Sequence, residues 1–387
     1  MTTLDPARQR KAKEYALISR RLWLLSTAIS GVYVLAWLTL GWSRTVRDWL
    51  LGTWPQLGNP WLLTPAYALI FGGFLVLIDL PASFYAGFVL PRRFEQSTQN
   101  LTGWLIDQLR SAAVGAPIGL LILELLYLAL RLSGASWWLW ASAGLLVFNV
   151  LLANLAPVVI MPLFNRYVPL GEQHQDLAER LLRLAQRAGT RVRGVYTFDM
   201  SRRTKAANAA LTGVGNTRRI VLGDTLVSEF TPDEIETVLA HELGHHVHRD
   251  ILFLLALGSA TTLIGLYLAS ISMNWAVGIF RLGAVSDIAS LPALALILGL
   301  YGLLTSPLVN AVSRWRERKA DRYALDATGK NDAFASALTR LANQNLGEVD
   351  PEKWVVWMFH SHPPLSERIA AARHWRATPP PTTTSKP

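Results

Sequence analysis

The chain has 387 residues, of which 51% are hydrophobic and 17% are charged, and its formal net charge is +10. Soluble domains carry about 25% charged residues, so this composition and the long apolar runs exclude an ordinary soluble protein and indicate an integral membrane protein. The absence of cysteine excludes disulfides and thiolate metal sites. The basic residues of a membrane protein often indicate its topology rather than nucleic-acid binding. We therefore expect a lipid bilayer as partner, and no nucleic acid.

Six apolar stretches are each long enough to cross a bilayer, which takes about 20 helical residues. They lie at 22–42, 65–90, 112–132, 137–163, 251–274 and 289–311. The first follows the basic segment 1–21 without a cleavage pattern, so we interpret it as a retained span rather than a removable signal peptide. A seventh span within 43–60 is the alternative, but the sequence RTVRDWLLGTW favours an interfacial helix there.

The basic residues test this count of spans. With six spans, 33 Lys and Arg residues fall in the N-terminus, 91–111, 164–250 and the C-terminal part, whereas three, or four with Arg131, fall in the other connections. Basic residues are enriched in cytoplasmic loops. We therefore expect both termini and the 164–250 domain to be cytoplasmic, at the inner membrane if the source is bacterial. A seventh span within 43–60 would reverse this domain, which argues against it.

Residues 164–250 have the pattern of a small α+β domain. An amphipathic helix begins near 172, and runs between turn residues predict three short strands, at 192–200, 206–213 and 218–224. The sequence TPDE then predicts the start of another helix. Thr231 can cap this helix, Pro232 fits its first turn, and Glu234 can complete a capping box.

That capped helix carries HELGH at 241–245. Residues four apart lie on one face of a helix, so His241 and His245 can bind one metal ion. Glu242 is rotated by about 100° from His241, where it can reach a water on the metal without being a ligand. This is the HExxH pattern of zinc proteases. The alternative is a solvated, histidine-rich helix end at a membrane surface.

A catalytic zinc ion needs three protein ligands and one open position, and two more histidines of the same helix are candidates. His246 points about 100° away from the face of His241 and His245, and His248 lies one turn beyond His245. Both are too close in sequence to complete an open tetrahedral site from one helix. We therefore look for the third ligand elsewhere in the chain.

The segment 310–324 offers a better candidate. Its polar residues are spaced four, three and four apart and form one stripe on a helix that has just left the membrane; they are Asn310, Arg314, Glu317 and Asp321. Glu317 as a ligand, with Asp321 supporting a ligating histidine, is chemically sound. The alternative is a solvated face held by ion pairs.

Three motifs together resemble the integral-membrane CAAX prenyl protease type 1 family, a group of zinc metalloendopeptidases. They are HELGH at 241–245, NxxSRxxExxAD from Asn310 to Asp321, and HPPLSER at 362–368. The general pattern of the family also matches 79–110, 161–170 and 218–227, so the resemblance covers about 65 to 375. It implies an α-helical multi-span membrane protein, with six transmembrane helices or alternatively seven, and a cytoplasmic α+β zinc-metalloprotease domain containing a small three-stranded sheet.

The resemblance also implies roles for residues of the two helical motifs. His241, His245 and Glu317 fall on the family's zinc ligands, which implies one Zn²⁺ per chain. Glu242 falls on its general base. Asp321 falls on a position regarded either as a proton donor or as a support for a ligand; we favour the support, because a carboxylate that accepts the Nδ1–H of a histidine fixes its tautomer.

Four further residues acquire expected roles from the resemblance. His362 and Arg368 fall on a histidine and an arginine that face the cleft, where they could polarise the scissile carbonyl or stabilise the oxyanion; the alternative is a locked C-terminal turn. Asn208 and Ala209 fall on the family's substrate-edge strand, to which a peptide could add by backbone hydrogen bonds. Eukaryotic members have an aromatic residue where this chain has Ala210, so their side-chain preference there is not transferred.

These expectations divide the chain into six segments. They are a cytoplasmic N-terminus (1–21), a four-span membrane region (22–163), a cytoplasmic metalloprotease domain with the HExxH helix (164–250), a two-span membrane region (251–311), the C-terminal part of the catalytic domain with the third zinc ligand (312–376) and a disordered tail (377–387). Asp79 and Glu124 lie within apolar runs, where ionisable groups should face a cavity or a partner.

The family resemblance implies cleavage of peptide bonds near the C-terminus of membrane-associated, CaaX-like substrates, including prenylated ones. Two other functions remain open. A quality-control zinc protease that degrades damaged membrane proteins would use the same HExxH chemistry. A zinc transporter or metal-binding scaffold would place its ligands in mid-span, but no predicted span contains a histidine.

Overall fold

The computed structural model describes residues 2–213 and 217–376; the predicted disordered tail, 377–387, lies outside them. The chain divides into two units that alternate along the sequence. The polar unit comprises Met1–Tyr15, Met161–Ile251 and Pro307–Pro387, and the apolar unit comprises Ala16–Ile160 and Leu252–Ser306. Each unit is therefore assembled from segments that are distant in sequence.

Within the described residues, six helices are long and apolar enough to cross a membrane, which confirms the predicted number of spans. The helices of the N-terminal half are α1 (Pro6–Thr39), α2 (Trp42–Thr53), α3 (Pro60–Phe84), α4 (Leu90–Arg93), α5 (Leu101–Leu132), α6 (Trp137–Leu155) and α7 (Met161–Phe164). A π-helical turn joins α3 to α4, and another joins α6 to α7, so each pair forms one long apolar helix. The helices are longer than the predicted spans because they continue into polar sequence at their ends.

The short helix α2 occupies the segment where an interfacial helix was expected. Its 12 residues are too few for a span, which needs about 20. Leu50 is buried and the exposed face carries Trp42 and Trp49, so the helix is amphipathic. Ser43 donates a hydrogen bond to Ala289 O and lies 2.7 Å from Tyr67 Oη, which holds α2 inside the apolar unit.

The two acidic residues of the predicted spans lie in the apolar unit. Glu124 Oε2 is 3.9 Å from Arg131 Nη2, so this carboxylate has a cationic partner on the same helix. Asp79 Oδ1 is buried and forms no hydrogen bond within the described part of the chain. Ionisable groups at such positions need a partner, which the structure identifies for Glu124.

The polar unit contains one sheet of four strands, β1 (Tyr167–Pro169), β2 (Val195–Phe198), β3 (Ala209–Thr212) and β4 (Arg219–Gly223). Their order is β1-β2-β4-β3; β2 and β4 are parallel and the other pairs are antiparallel. The prediction of three strands was therefore one strand short. The missed strand, β1, is three residues long and contains a proline, so it has neither the length nor the alternation that marks a strand in sequence.

Several helices belong to the polar unit together with this sheet. They are α8 (Gln175–Arg187), α9 (Asp224–Glu229), α10 (Pro232–Val247), α13 (Asn331–Gln344), α14 (Lys353–Phe359) and α15 (Leu365–His374), together with the ends of α11 (Asp250–Phe280) and α12 (Leu291–Thr328) that belong to this unit. Fully buried apolar side chains from different elements meet there, including Leu181, Ile220, Leu239 and Phe334. This core fixes α10, the helix of the HExxH motif.

The N-terminal residues also belong to the polar unit. At the start of α1, the backbone N–H of Asp5 donates to Asn343 Oδ1 at 3.1 Å, and Gln9 Nε2 donates to Gly347 O at 3.2 Å. These bonds attach the N-terminal residues to α13 and to the turn that follows it.

Candidate metal centre

The start of α10 has the predicted capping box. Glu234 N donates to Thr231 Oγ1 at 3.3 Å, and Thr231 N donates to Glu234 Oε2 at 2.8 Å. The second carboxylate oxygen of Glu234 accepts hydrogen bonds from Ser336 and Arg340 of α13. The cap therefore fixes where the helix begins and also bonds it to α13, so the HExxH residues that start ten positions after Thr231 have a fixed orientation.

His241 and His245 lie one turn apart on the same face of α10, as their spacing predicts. Their ring centroids are 4.8 Å apart and nearly perpendicular, and their Nε2 atoms are separated by 3.2 Å. Glu317 of α12 faces both rings. Its two oxygens lie 3.3 Å from His241 Nε2 and 3.3 Å from His245 Nε2.

The three side chains form a group suited to a metal ion. One donor atom from each of His241, His245 and Glu317 lies within 4.8 Å of the others. Glu317 Oε2 is buried and faces His241 Nε2 at 3.3 Å, as two ligands of one cation would. Neither His246 nor His248, the alternative third ligands, belongs to this group.

Each histidine is supported by a carboxylate on its other nitrogen. His241 Nδ1 lies 2.8 Å from Asp321 Oδ1, and His245 Nδ1 lies 2.7 Å from Asp250 Oδ2. A carboxylate accepts the Nδ1–H and leaves the Nε2 lone pair for a metal ion. The contact of Asp321 was expected from the sequence; that of Asp250 was not.

The electrostatics of α10 are those of a buried site. Burial lowers the pKa of His241, but its hydrogen bonds to Asp321 and Glu317 outweigh this effect and raise the pKa to about 9. Burial also raises the pKa of the Glu242 carboxyl above its ordinary value. A carboxylate with a raised pKa accepts a proton from water more readily.

The C-terminal motif reaches the same site. His362 Nε2 lies 3.3 Å from Glu317 Oε1, and the imidazole is 59% exposed. Arg368 forms a two-pronged ion pair with Asp321, with Nε and Nη2 at 2.8 and 2.6 Å from the two oxygens. The structure therefore brings both residues to the metal group. His362 is exposed and lies beside Glu317, whereas Arg368 contacts Asp321, the carboxylate that supports His241.

The remaining residues of the polar stripe hold the segment before His362. Asn310 donates to Met358 O at 2.9 Å. Arg314 donates to Val356 O at 3.0 Å and to His360 O at 2.6 Å. The same face of α12 that carries Glu317 thus positions the backbone that leads into the HPPLSER motif.

Gly244 permits the close approach of α10 and α12. A Cβ atom at this position would lie 2.9 Å from Ala320 Cα, which is closer than Cβ atoms come in folded chains, and 3.2 Å from Tyr323 Cβ, which is a tight contact. The glycine of HELGH therefore lets the two helix backbones come near enough for Glu317 to face the histidines.

We expect Gly244→Ala to lower the thermal unfolding temperature and the metal content, because the added methyl group forces the helices apart and overpacking costs about 1–3 kcal/mol. Gly258→Ala is the matched control, since no atom lies within 4 Å of its Cβ position. Circular dichroism melts and metal analysis check the prediction. Equal stability and metal content in the two variants would show that the close approach is not required.

Asn208 and Ala209 lie where β3 begins. This strand is at one edge of the sheet and packs beside α10. Asn208 O accepts a hydrogen bond from Gly223 N at 2.8 Å, so the alternation of an antiparallel ladder directs the backbone of Ala209 toward the outer edge. The structure thus places Ala209 at the start of an edge strand next to the HExxH helix, and Asn208 directly before it.

Comparison with known proteins gives consistent matches over most of the chain. Residues 172–376 match the model of peptidase family M48, and residues 2–166 match the model described as CAAX prenyl protease N-terminal, five membrane helices. Within 2–166, four helices are long enough to span and α2 is not, so this chain has one long helix fewer than that description.

Individual relatives and one solved structure agree with the family models. The uncharacterized metalloprotease YhfN of Bacillus subtilis is 30% identical over 95% of this chain and 86% of its own length. CAAX prenyl protease 1 of Saccharomyces cerevisiae is 32% identical over 80% of this chain and 72% of its own length. The crystal structure of S. mikatae Ste24p has the same fold, with a TM-score of 0.73, 24% identity, and coverage of 94% of this chain and 98% of that one.

Proposed function

Because this chain belongs to peptidase family M48 and is a multi-pass membrane metalloprotease, we propose that it is a zinc endopeptidase that cleaves near the C-terminus of membrane-associated proteins. The observation that supports this function best is the convergence of His241, His245 and Glu317. Two histidines and a glutamate are a known ligand set of catalytic zinc, with one position left open. We propose one ion per chain at this group.

Zinc, when bound, supplies the Lewis acidity that makes a water molecule more acidic and polarises a peptide carbonyl. The protein supplies the proton transfers. In our proposal Glu242 accepts a proton from the attacking water, because burial has raised the pKa of its carboxyl, and then delivers it to the amine that leaves as the C–N bond breaks. The carboxylates of Asp321 and Asp250 keep the two ligating imidazoles in the required tautomer.

We propose that His362, rather than Arg368, donates a hydrogen bond to the developing oxyanion. The imidazole of His362 is largely exposed and lies beside Glu317, so it can face a bound substrate. Arg368 donates hydrogen bonds from both Nε and Nη2 to Asp321. Its role in this proposal is to hold Asp321 against His241.

The substrate is a peptide or protein, and we propose that it binds in an extended conformation along β3. The edge position of Ala209 supports this, because a peptide can add to a sheet edge through backbone hydrogen bonds. The Ala209 N–H now donates to Asn208 Oδ1 at 2.9 Å, and a bound peptide would take the place of that side chain. Relatives named CAAX prenyl protease 1 suggest CaaX-like and prenylated tails as the substrate class. A membrane-anchored tail would be presented to the enzyme at the surface of the lipid bilayer.

Peptide cleavage by the purified protein tests this function. We expect zinc-dependent cleavage of a farnesylated CaaX peptide, mapped by mass spectrometry, and its loss after treatment with a chelator. The same peptide without the farnesyl group measures how much the lipid contributes. If the protein cleaved a misfolded membrane protein but neither CaaX peptide, the result would instead support a quality-control protease. Membership of a peptidase family favours both of these protease functions over a zinc transporter.

We further propose that the polar unit and both termini face the cytoplasm, at the inner membrane if the source is bacterial, since 33 Lys and Arg residues fall in these parts of the chain and their connections and cytoplasmic loops are enriched in basic residues. The absence of native cysteine allows single-cysteine labelling. In intact cells, a membrane-impermeant maleimide is expected to label Gln56→Cys, and to label Gln173→Cys only after permeabilisation; both positions are exposed. The reverse pattern would place the polar unit outside.

A further inference from the structure

The junction between α10 and α11 has an unusual backbone. Helix α10 ends at Val247 and α11 begins at Asp250, and Arg249 between them has a φ of 54°. Positive φ is uncommon for residues other than glycine. In an unbroken helix, a residue five positions after His245 would be rotated by about 140° from it. The break therefore returns the carboxylate of Asp250 to the side on which His245 lies.

Contacts with His245 and Arg316 hold the carboxylate of Asp250 in this position. It is 2% exposed, and its Oδ2 lies 2.7 Å from His245 Nδ1. Its Oδ1 accepts a hydrogen bond from Arg316 Nη2, and the same guanidinium donates to His248 O at 2.6 Å. Arg316 thus fixes the buried carboxylate and also the backbone of the break, while the adjacent Glu317 reaches the metal group.

The other histidine, His241, is supported by a similar pair of an arginine and a carboxylate. Arg368 holds Asp321, and Asp321 lies against His241 Nδ1. Residues 316–321 of α12 therefore contribute Glu317 itself, Asp321 behind one histidine and Arg316 in contact with Asp250 behind the other.

We infer that Asp250 and Arg316 are positioning residues for the metal ligand His245. This inference rests on the proposed metalloprotease function. An ionised carboxylate can only accept a hydrogen bond, so it holds the proton on Nδ1 and leaves Nε2 to coordinate. Asparagine is nearly the same size but can also donate, which would allow the opposite tautomer and remove the charge that pairs with Arg316.

Metal affinity of the purified protein tests the inference, measured by competition with a chromophoric chelator. We expect Asp250→Asn to bind Zn²⁺ about 10- to 100-fold more weakly than wild type, the usual effect of removing such a support. With Co²⁺ in place of zinc, the visible absorption bands of Asp250→Asn should shift. Asp350→Asn is the matched control, because Asp350 is exposed in the same unit, and should leave affinity and spectrum unchanged.

Substitutions at Arg249 test the break independently of the carboxylate. Arg249→Gly suits a positive φ and should keep the metal affinity, whereas Arg249→Pro, with φ fixed near −65°, should lower it as Asp250→Asn does. Arg316→Gln should also weaken binding, and Arg316→Lys should do so less. Circular dichroism melts of the metal-free proteins identify variants that are merely unfolded, so affinity is compared only among folded ones.

Two results would overturn the inference in distinguishable ways. Wild-type protein that takes up no zinc would overturn the proposed function, and this role of Asp250 with it. Suppose instead that the wild-type protein binds zinc, and that folded Asp250→Asn and Arg249→Pro bind it with the same affinity and show the wild-type Co²⁺ spectrum. This result would overturn the positioning role alone.

Discussion

Replacing Glu242 by glutamine is expected to abolish measurable peptide cleavage while the protein keeps its metal. Glutamine has nearly the same size, but its amide cannot accept the proton of the attacking water. General acid–base groups contribute typically 10²- to 10⁴-fold to rate, and no other carboxylate of α10 lies on the metal-facing side of the motif. The metal should remain because Glu242 is not one of the three converging ligands.

The measurement is turnover of a fluorogenic peptide by purified wild type and variant, together with metal analysis of the same samples. Glu229→Gln is the control, because it makes the same change at an exposed position just before α10. Undiminished turnover by Glu242→Gln would remove Glu242 from the role of general base. Loss of metal together with turnover would make it a structural part of the metal group instead.

Replacing Glu317 by alanine is expected to reduce the metal content to less than about one-tenth of an equivalent per chain. Two histidines alone leave a catalytic zinc ion one ligand short, and the variant loses the only donor of the group that comes from outside α10. The thermal unfolding temperature should then no longer rise on adding zinc, since a ligand stabilises only the state that binds it.

Metal analysis by mass spectrometry and melts with and without zinc check this prediction. Glu229→Ala is the matched control and should retain a full equivalent. A full equivalent in Glu317→Ala would remove Glu317 from the ligand set and would require a different third ligand for His241 and His245.

The features predicted most accurately from sequence are those that depend on neighbours along the chain. The capping box from Thr231 to Glu234 and the shared face of His241 and His245 follow from helix periodicity alone. The six spans follow from length and hydropathy. Their ends do not, because a helix such as α1 continues through residues that carry no apolar signal.

The features that were missed depend on contacts between distant parts of the chain or on one backbone angle. The polar stripe indicated Glu317 and Asp321, but no pattern announces that Arg368 pairs with Asp321. No pattern indicated the contact of Asp250 with His245, because it depends on the positive φ of Arg249, and an arginine gives no sign of such a conformation in sequence.

The division of the polar unit among three segments has a consequence for biosynthesis. Its last segment begins at Pro307, so Glu317 leaves the ribosome 72 positions after His245. Chain elongation at about 5–20 residues per second makes this interval roughly 4–14 s. During that time the nascent protein lacks Glu317, the third ligand that we propose, so on this proposal the protease becomes active only after its last transmembrane helix has been synthesised.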